Sequence, residues 1–398
     1  MNLLKEMVVT SSYGTEKSAD ELVGSMQSLS STQLQTNQAV ESFDKLLDGL
    51  ATGVLVNASS TPGGPVKIDI RGQGALTQLN NTLIGSSTQP LFIIDGVVVA
   101  EEAGFDNIIF NGDGGLAEQF KNPLSKISPD DIESITILKD AAAVGLYGAD
   151  ASNGVVIVKT KRKKQGDSNV SYNFQAGISQ PINQIKYLSG PQYYDIKKEI
   201  RLNFGDSEEK ANSAAGSNTI NTDWFALLNR NGQFHKHNLN VGYSFKNWSF
   251  RSSFNYLFNK EPQIGNSFNR NSVRLNFGYI AKKLTSQWTI APTWSKQSAP
   301  NILFGFPLPP NIEAIDKEGK YTELGYNGLG NPLAVANENI NNTNIFGMLG
   351  SWNLSYQILP YLKVSSIAGV DLSDKNKVDF LMEIMKVVDL MALLRKTG

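Results

Sequence analysis

From Asn169 to Val370 the chain repeats one pattern. Apolar or aromatic residues alternate with polar ones over about ten residues at a time, between turn-forming stretches. Successive side chains on a strand point to opposite faces, so a period of two predicts strands with one apolar face. Val170, Tyr172, Phe174, Ala176 and Ile178 form the first such face. Leu239, Val241, Tyr243 and Phe245 form the second, ending at the tight turn Lys246-Asn247. Trp248, Phe250, Phe254, Tyr256 and Phe258 form the third, opposite Ser249, Arg251, Ser253 and Asn255. Val273, Leu275, Phe277 and Tyr279 follow, then Trp288, Ile290 and Trp294. Trp352, Leu354 and Tyr356 precede Leu359-Pro360, and Leu362, Val364, Ala368 and Val370 come after it. These are seven candidate strands in succession, expected to pair as an antiparallel meander.

The connections are unequal. Lys246-Asn247 is short, whereas 179–236, 259–271 and 296–342 are long and rich in Asn, Gly, Pro and Ser. Short turns at one end, long loops at the other and aromatic residues near strand ends are features of a membrane-spanning β-barrel. Alternation alone fits a soluble β-sandwich as well. No run of about 18 apolar residues occurs, so no transmembrane helix is expected, which leaves a barrel open.

The preceding stretch has a different texture. Val66, Ile68 and Ile70 alternate as in a half-buried strand. Leu91–Ile94 reads as a short buried strand, Asp95-Gly96 as a turn, and Val97–Val99 as the returning strand. Ser128-Pro129-Asp130-Asp131 opens a short helix, with proline at its first position and acids in its first turn. Ile135 and Ile137 mark another strand, Asp140 can cap a helix at 141–144, and Val155–Val158 is a last strand. Phe43, Leu46, Leu47 and Leu50 fall at helical spacing, and Leu22-Gly24-Met26 is ambiguous between helix and strand. The expectation is an α+β unit, a small mixed sheet with short helices.

The motifs of this unit carry a resemblance. In order they are Ile70-Arg71-Gly72, Ile94-Asp95-Gly96, Leu138-Lys139-Asp140, Leu146-Tyr147-Gly148, Asn153-Gly154-Val155-Val156 and Thr160-Lys161. The series resembles the plug domain of TonB-dependent outer-membrane transporters, most closely the SusC/RagA-like branch. Three positions depart from the usual pattern: Asp150 in place of Arg, Leu50 in place of Arg, and Gln73 in place of a small apolar residue.

The resemblance implies a nutrient importer in the outer membrane, with a plug inside a barrel of about 22 strands and lipid around it. It implies energy from TonB, captured by strand addition to a short N-terminal box. Glu6, Met7, Val8, Val9 and Thr10, followed by Tyr13-Gly14-Thr15, are similar to that box. Strand addition works through backbone hydrogen bonds, so β-propensity is what it demands. A SusD-like surface lipoprotein and an oligosaccharide or peptide substrate are implied as well. The organisation expected is a leader at 1–40, a plug at 41–166, a partial barrel at 167–375 and a helical tail at 376–398.

Other chemistries are disfavoured. Thirty-six basic residues against 37 acidic ones leave no basic excess, so nucleic acid is not an expected partner. Cysteine is absent, which removes disulfide and thiolate chemistry. Arg71-Gly72-Gln73-Gly74 lacks the third glycine of a dinucleotide loop, since position 77 is Thr. The run Lys159–Lys164 reads as a solvated hinge between the two halves, and Asp130, Asp131 and Glu133 as helix N-terminal charge. His235 and His237 share a strand face at metal-binding spacing, but two ligands without a third are read as solvated side chains. No catalytic residues, metal site or cofactor is expected, and the chain is read as not an enzyme.

Two features point to a chain cut from something longer. Met1–Glu6 lacks a signal peptide's basic and apolar regions, and Phe380, Ile384, Val387, Met391 and Leu394 lie at helical spacing where a barrel strand should end. A truncated or frame-shifted product is therefore expected. The competing readings are a non-transporting fragment or soluble plug-like binding module, and a ferric-siderophore receptor.

Overall fold

The structure is a computed structural model that describes residues 8–10, 16–18, 26–34, 47, 51–58, 66–70, 89–99, 108–110, 116–118, 126–139, 147–148, 151–163, 166–183, 185–300, 308–324, 331–359 and 362–380. The N-terminal unit begins with β1 (Val8–Thr10) and β2 (Glu16–Ser18), an antiparallel pair. Then come β3 (Met26–Ser30), α1 (Ser31–Leu34), β4 (Val54–Ala58) and β5 (Val66–Ile70). They are followed by β6 (Leu91–Ile94), β7 (Val97–Val99), β8 (Ile108–Phe110) and β9 (Leu116–Glu118). A three-residue 3-10 turn, Pro129–Asp131, leads into β10 (Ile132–Leu138), and β11 (Val155–Thr160) closes the unit.

The central sheet has the order β3-β10-β11-β6-β7. β11 and β6 run parallel while the other neighbours are antiparallel, so the sheet is mixed, as expected. Leu47, Ile68, Phe92, Ile94, Ile135, Ile137, Val156 and Val158 fill one face. Ile93, Leu138, Ala151, Val155 and Ile157, with Leu91 and Tyr147 against them, fill the other. Cover on both faces explains why Leu91–Ile94 and Val155–Val158 are continuous apolar runs rather than alternating ones. Asp95 (φ 48) and Gly96 (φ 88) both take left-handed backbone, which a two-residue hairpin turn requires.

The second half is a meander. Its elements are β12 (Asn169–Ser179), α2 (Gly190–Asn203), α3 (Glu208–Ala215), α4 (Trp224–Leu228), β13 (Gly232–Phe245) and β14 (Trp248–Lys260). Next are β15 (Ser267–Ile280), β16 (Leu284–Ser298), α5 (Pro332–Glu338), β17 (Ile340–Leu359) and β18 (Leu362–Phe380). Among the described residues the seven strands β12 to β18 pair antiparallel in sequence order. Connections 246–247, 281–283 and 360–361 lie at one end, and 180–231, 261–266 and 299–339 at the other.

The sheet's two faces separate barrel from sandwich. Arg251, Ser253, Asn255, Arg274, Asn276, Thr289 and Thr293 are buried against the N-terminal unit, and Arg270 and Ser272 are buried on the same face. Tyr243, Phe245, Trp248, Phe254, Phe277, Trp294, Trp352 and Tyr356 are exposed on the outer face. A sandwich buries its apolar face. An apolar outside over a polar inside is the arrangement of a sheet that faces lipid. Aromatic rings gather in two bands on it. Trp248–Tyr279 and Phe250–Phe277 lie near the short turns, and Trp294–Phe346 with the Phe174, Tyr256 and Phe258 group near the long loops.

Several expectations are corrected. β3 lies within the stretch assigned to the leader, yet it forms an edge of the central sheet by pairing with β10. Residues 261–266 form a short connection where a long one was expected at 259–271, because β14 and β15 pair as far as Lys260 and Ser267. The connection 180–231 contains α2, α3 and α4, and α4 packs with α5 around Trp224, Leu228, Ala314, Leu324 and Leu333. β18 continues through Phe380, where a helix was expected from 376. Pairing of Phe380 with Ile340 on the 20-residue β17 overrides the local helical spacing. Residues 381–398 and the helix at 141–144 lie outside the described residues, as does all but Leu47 of the helix expected around 43–50. Among the described residues no helix is long and apolar enough to cross a membrane.

Candidate functional site

The polar face of the meander closes on the N-terminal unit through charged side chains spaced by two. β13 presents Lys236, Asn238 and Asn240, β14 presents Arg251 and Asn255, and β15 presents Arg274 and Asn276. Facing them is the 3-10 turn. Pro129 fixes its start and Ile132 leaves it in extended conformation, so Asp130 and Asp131 project where β10 begins. Arg251 Nη2 lies 2.8 Å from Asp131 Oδ1, and Asn255 Nδ2 donates to Asp131 Oδ2 at 2.9 Å. Arg274 Nε is 3.9 Å from the same Oδ2. Lys236 Nζ pairs with Asp130 Oδ2 at 2.6 Å. Arg251 also donates to Asn240, and hydrogen bonds from Asn240 to Asn238 and from Asn238 to Asn255 complete the ring.

Burial by itself would push the Asp131 carboxyl up. The guanidinium groups of Arg251 and Arg274 outweigh it and hold the carboxyl below its ordinary value of 3.8. These acids were read as helix N-terminal charge. A three-residue turn has no macrodipole to complement, and their partners are instead the cations of the facing sheet.

A second contact centres on Asp95. Its Oδ1 accepts from Thr160 N at 2.9 Å and its Oδ2 from Thr160 Oγ1 at 2.6 Å, tying the β6–β7 turn to the end of β11. Arg274 Nη1 is 3.4 Å from Oδ2, so Arg274 spans both acidic contacts. Farther round the sheet, Lys126 pairs with Asp371 of β18 at 2.7 Å. β7 also meets β18 closely: a Cβ on Gly369 would lie 2.4 Å from Val97 Cγ2, so only glycine fits opposite that valine.

The basic run was expected to be a solvated hinge. Instead its described residues Thr160, Lys161 and Arg162 lie between the plug and the inner face of the sheet. Thr160 is buried, Lys161 Nζ donates to Asp130 O at 2.8 Å, and Arg162 donates to Thr289 Oγ1 at 3.0 Å. Burial draws the Lys161 ammonium below its usual range, partly opposed by Asp130.

The motif residues divide into groups. Leu138 and Val155 are paired across β10 and β11, and Tyr147 packs on the same small core. Lys139 donates to Gln27 Oε1 at 2.9 Å and to the Thr52 carbonyl, joining β10 to the segments before β4. Gly148 and Gly154 have φ of 81 and 99. A Cβ on Gly154 would lie 2.8 Å from Ile70 Cδ1 and 3.1 Å from the Leu138 carbonyl oxygen. Asn153 precedes it in the turn before β11. Of the box candidates, Val8, Val9 and Thr10 form β1, while Glu6 and Met7 lie outside the described residues, as do Arg71, Gly72 and Asp140.

The residues that join the two halves were missed as a set. The signal available was a cation on the polar face of a strand whose other face is aromatic, as at Arg251. Such a charge in mid-strand needs either water or a buried partner. The arrangement that results is a seat: a folded unit held against one face of the seven-stranded sheet by ion pairs. Removing one partner of a buried pair costs about 3–5 kcal/mol, so the seat resists spontaneous release.

Residues 18–155 match the profile of the TonB-dependent receptor plug domain. The TonB-dependent receptor SusC of Bacteroides thetaiotaomicron is 31% identical over 275 residues, covering 69% of this chain and 24% of that protein. A TonB-dependent receptor of Formosa agariphila is 29% identical over 366 residues, covering 89% of this chain and 34% of that protein. The chain thus spans about a quarter to a third of the length of these relatives. The RagAB peptide importer in its open-open state superposes with a TM-score of 0.71 at 20% identity, over 93% of this chain and 43% of that chain. The unliganded ferric citrate transporter FecA gives 0.55 at 13% identity, over 91% and 42%. These two likenesses are of fold.

Proposed function

We infer that this chain is the plug and part of the barrel wall of a SusC/RagA-like TonB-dependent receptor of the outer membrane, whose activity is nutrient import. The observation that carries this reading is the seat. An acidic turn of the plug is buried against inward-facing cations of a sheet whose other side is apolar and aromatic. That arrangement makes sense for a wall in lipid with a removable stopper inside it. Among the described residues the sheet is open at β12 and β18, and lipid cannot satisfy such unpaired backbone, so import requires strands that close the barrel. The function is transport rather than catalysis.

In this reading Glu6–Thr10 is the box for TonB. Val8–Thr10 already adopts strand conformation against Glu16–Ser18, which supports its capacity for strand addition to a partner. Force on it reaches β3, the edge strand of the plug sheet and the one nearest the N-terminus. The unit from β3 to β11 acts as plug, and the strands β12 to β18 act as wall. The described motif residues Leu138, Lys139, Tyr147, Gly154 and Val155 hold the plug's packing. The external partner is a SusD-like lipoprotein, and the cargo a glycan or peptide. The similarity to SusC supports this, as does the fold shared with a transporter described as a peptide importer.

The test is uptake by cells carrying the full-length receptor. Labelled oligosaccharides and peptides should enter only when TonB is present, and a lipoprotein should co-purify from outer membranes. Val8→Pro, which removes a backbone donor and fixes φ, should abolish uptake. Uptake of ferric chelates alone, induced by iron starvation without a lipoprotein, would overturn the substrate assignment.

A further inference from the structure

The chain has two histidines, and the fold brings both to one place. His235 and His237 occupy alternate outward positions of β13, beside the rim that carries the long connections. They are not simply solvated, as their spacing first suggested. His235 stacks on Phe258 at 4.9 Å, and His237 packs on Phe174 at 4.9 Å and on Tyr256 at 5.9 Å. Both rings are half-buried in this aromatic band.

We propose that His235 and His237 form a two-point site for a borderline divalent cation of the Zn2+ type on the outer rim of the wall. Three observations carry it. His235 Nδ1 and His237 Nε2 are 3.3 Å apart. Two nitrogens bound tetrahedrally at 2.0–2.1 Å from zinc are about 3.3–3.4 Å apart, so the ligand edge is already set. The separation is also longer than the usual range for a hydrogen bond from nitrogen, about 2.7–3.2 Å, so the contact is a weak one for a metal ion to replace.

The second observation is orientation. Tyr172 Oη lies 2.7 Å from His237 Nδ1. When Nδ1 carries the hydrogen and donates it to the phenol oxygen, the Nε2 lone pair faces His235. This is the outer-shell contact that fixes a metal-binding imidazole's tautomer and ring plane. The third is immobilisation: stacking on Phe258 and packing on Phe174 and Tyr256 hold the two rings, so binding orders little more.

Imidazole donors select zinc-like ions over calcium or magnesium. Among the described residues no cluster of three or more His, Asp or Glu exists, so water completes the coordination. Binding requires the His235 hydrogen to sit on Nε2, which leaves the Nδ1 lone pair for the metal. Protonation of either ring competes with the metal, so binding weakens as pH falls.

The experiment is titration of the detergent-purified receptor with Zn2+ against a chromophoric chelator, and with Co2+ followed by its visible absorption. With every imidazole of this chain in the pair, His235→Ala and His237→Ala should each abolish binding assigned to it. Tyr172→Phe should weaken it by about 10–100-fold. These positions face outward, so the variants should keep the receptor's heat-modifiable band. Zn2+ binding by the parent no tighter than by the double His235→Ala/His237→Ala variant would overturn the proposal, as would a Co2+ spectrum without imidazole ligation.

Discussion

Arg251 and Asp131 are 120 residues apart in sequence, yet Arg251 Nη2 lies 2.8 Å from Asp131 Oδ1 with both side chains almost inaccessible to water. The pair joins an outer-membrane wall strand to the turn that opens a plug strand. Its charges are desolvated, so it matters most when only one partner is removed.

Arg251→Met should therefore loosen the seat by about 3–5 kcal/mol, by leaving Asp131 buried without its nearest cation. Hydrogen exchange at the amides of 132–138 should accelerate. Asp131→Asn added to Arg251→Met should recover much of the loss, since neither charge then remains from the pair. Equal protection in parent and single variant would show that the pair does not hold the plug.

The seat should be acid-labile in a defined range. Asp131 has a lowered pKa in the docked state, so its contribution is complete above the ordinary value of 3.8 and is lost as pH falls through the lower docked value. Plug retention, read by protease resistance of residues 18–155, should stay flat from neutral pH to about 4 and fall below it. Asp131→Asn should lower retention at neutral pH and flatten the acid limb. An unchanged acid limb in that variant would assign the transition to other groups.

Asp95 separates turn geometry from charge. Asp95→Asn should keep the hairpin, because asparagine tolerates the left-handed backbone seen at φ 48. It should still weaken docking through the loss of the Arg274 contact at 3.4 Å. Asp95→Val should damage both, since a β-branched side chain is strained at that φ. Hydrogen exchange in 91–99 distinguishes them: the Asn variant should retain protection within the hairpin, and its loss there would contradict this division.

Much of the meander was legible because a period of two is a local property. The seven strands follow from residues such as Trp248, Phe250 and Phe254 alone, whereas the connection 261–266 is shorter than its polar sequence suggested because β14 and β15 pair as far as Lys260 and Ser267. β3 was not legible, since Met-Gln-Ser-Leu-Ser has little pattern and becomes a strand by pairing with β10. The helix α2 left a trace in Ser189 and Gln192, which form a capping box, but its long loop context hid it. The seat was the least legible part. Asp130 and Asp131 look like ordinary helix-start charges until Lys236, Arg251 and Arg274 are brought opposite them, and no local pattern encodes that meeting.

Residues around Val97 sit against the wall at β18, and import by the proposed function requires them to leave it. This chain has no cysteine, so a pair introduced at Val97→Cys and Gly369→Cys, in a receptor with any cysteine elsewhere replaced, reports only on that contact. A Cβ at Gly369 would lie 3.0 Å from Val97 Cβ, so a slight backbone shift brings the pair to disulfide geometry, about 3.5–4.5 Å. In the full-length receptor, oxidation should link plug to wall and stop TonB-dependent uptake, and reduction should restore it. Failure of the pair to crosslink in a folded receptor, or full uptake by the crosslinked form, would contradict the account.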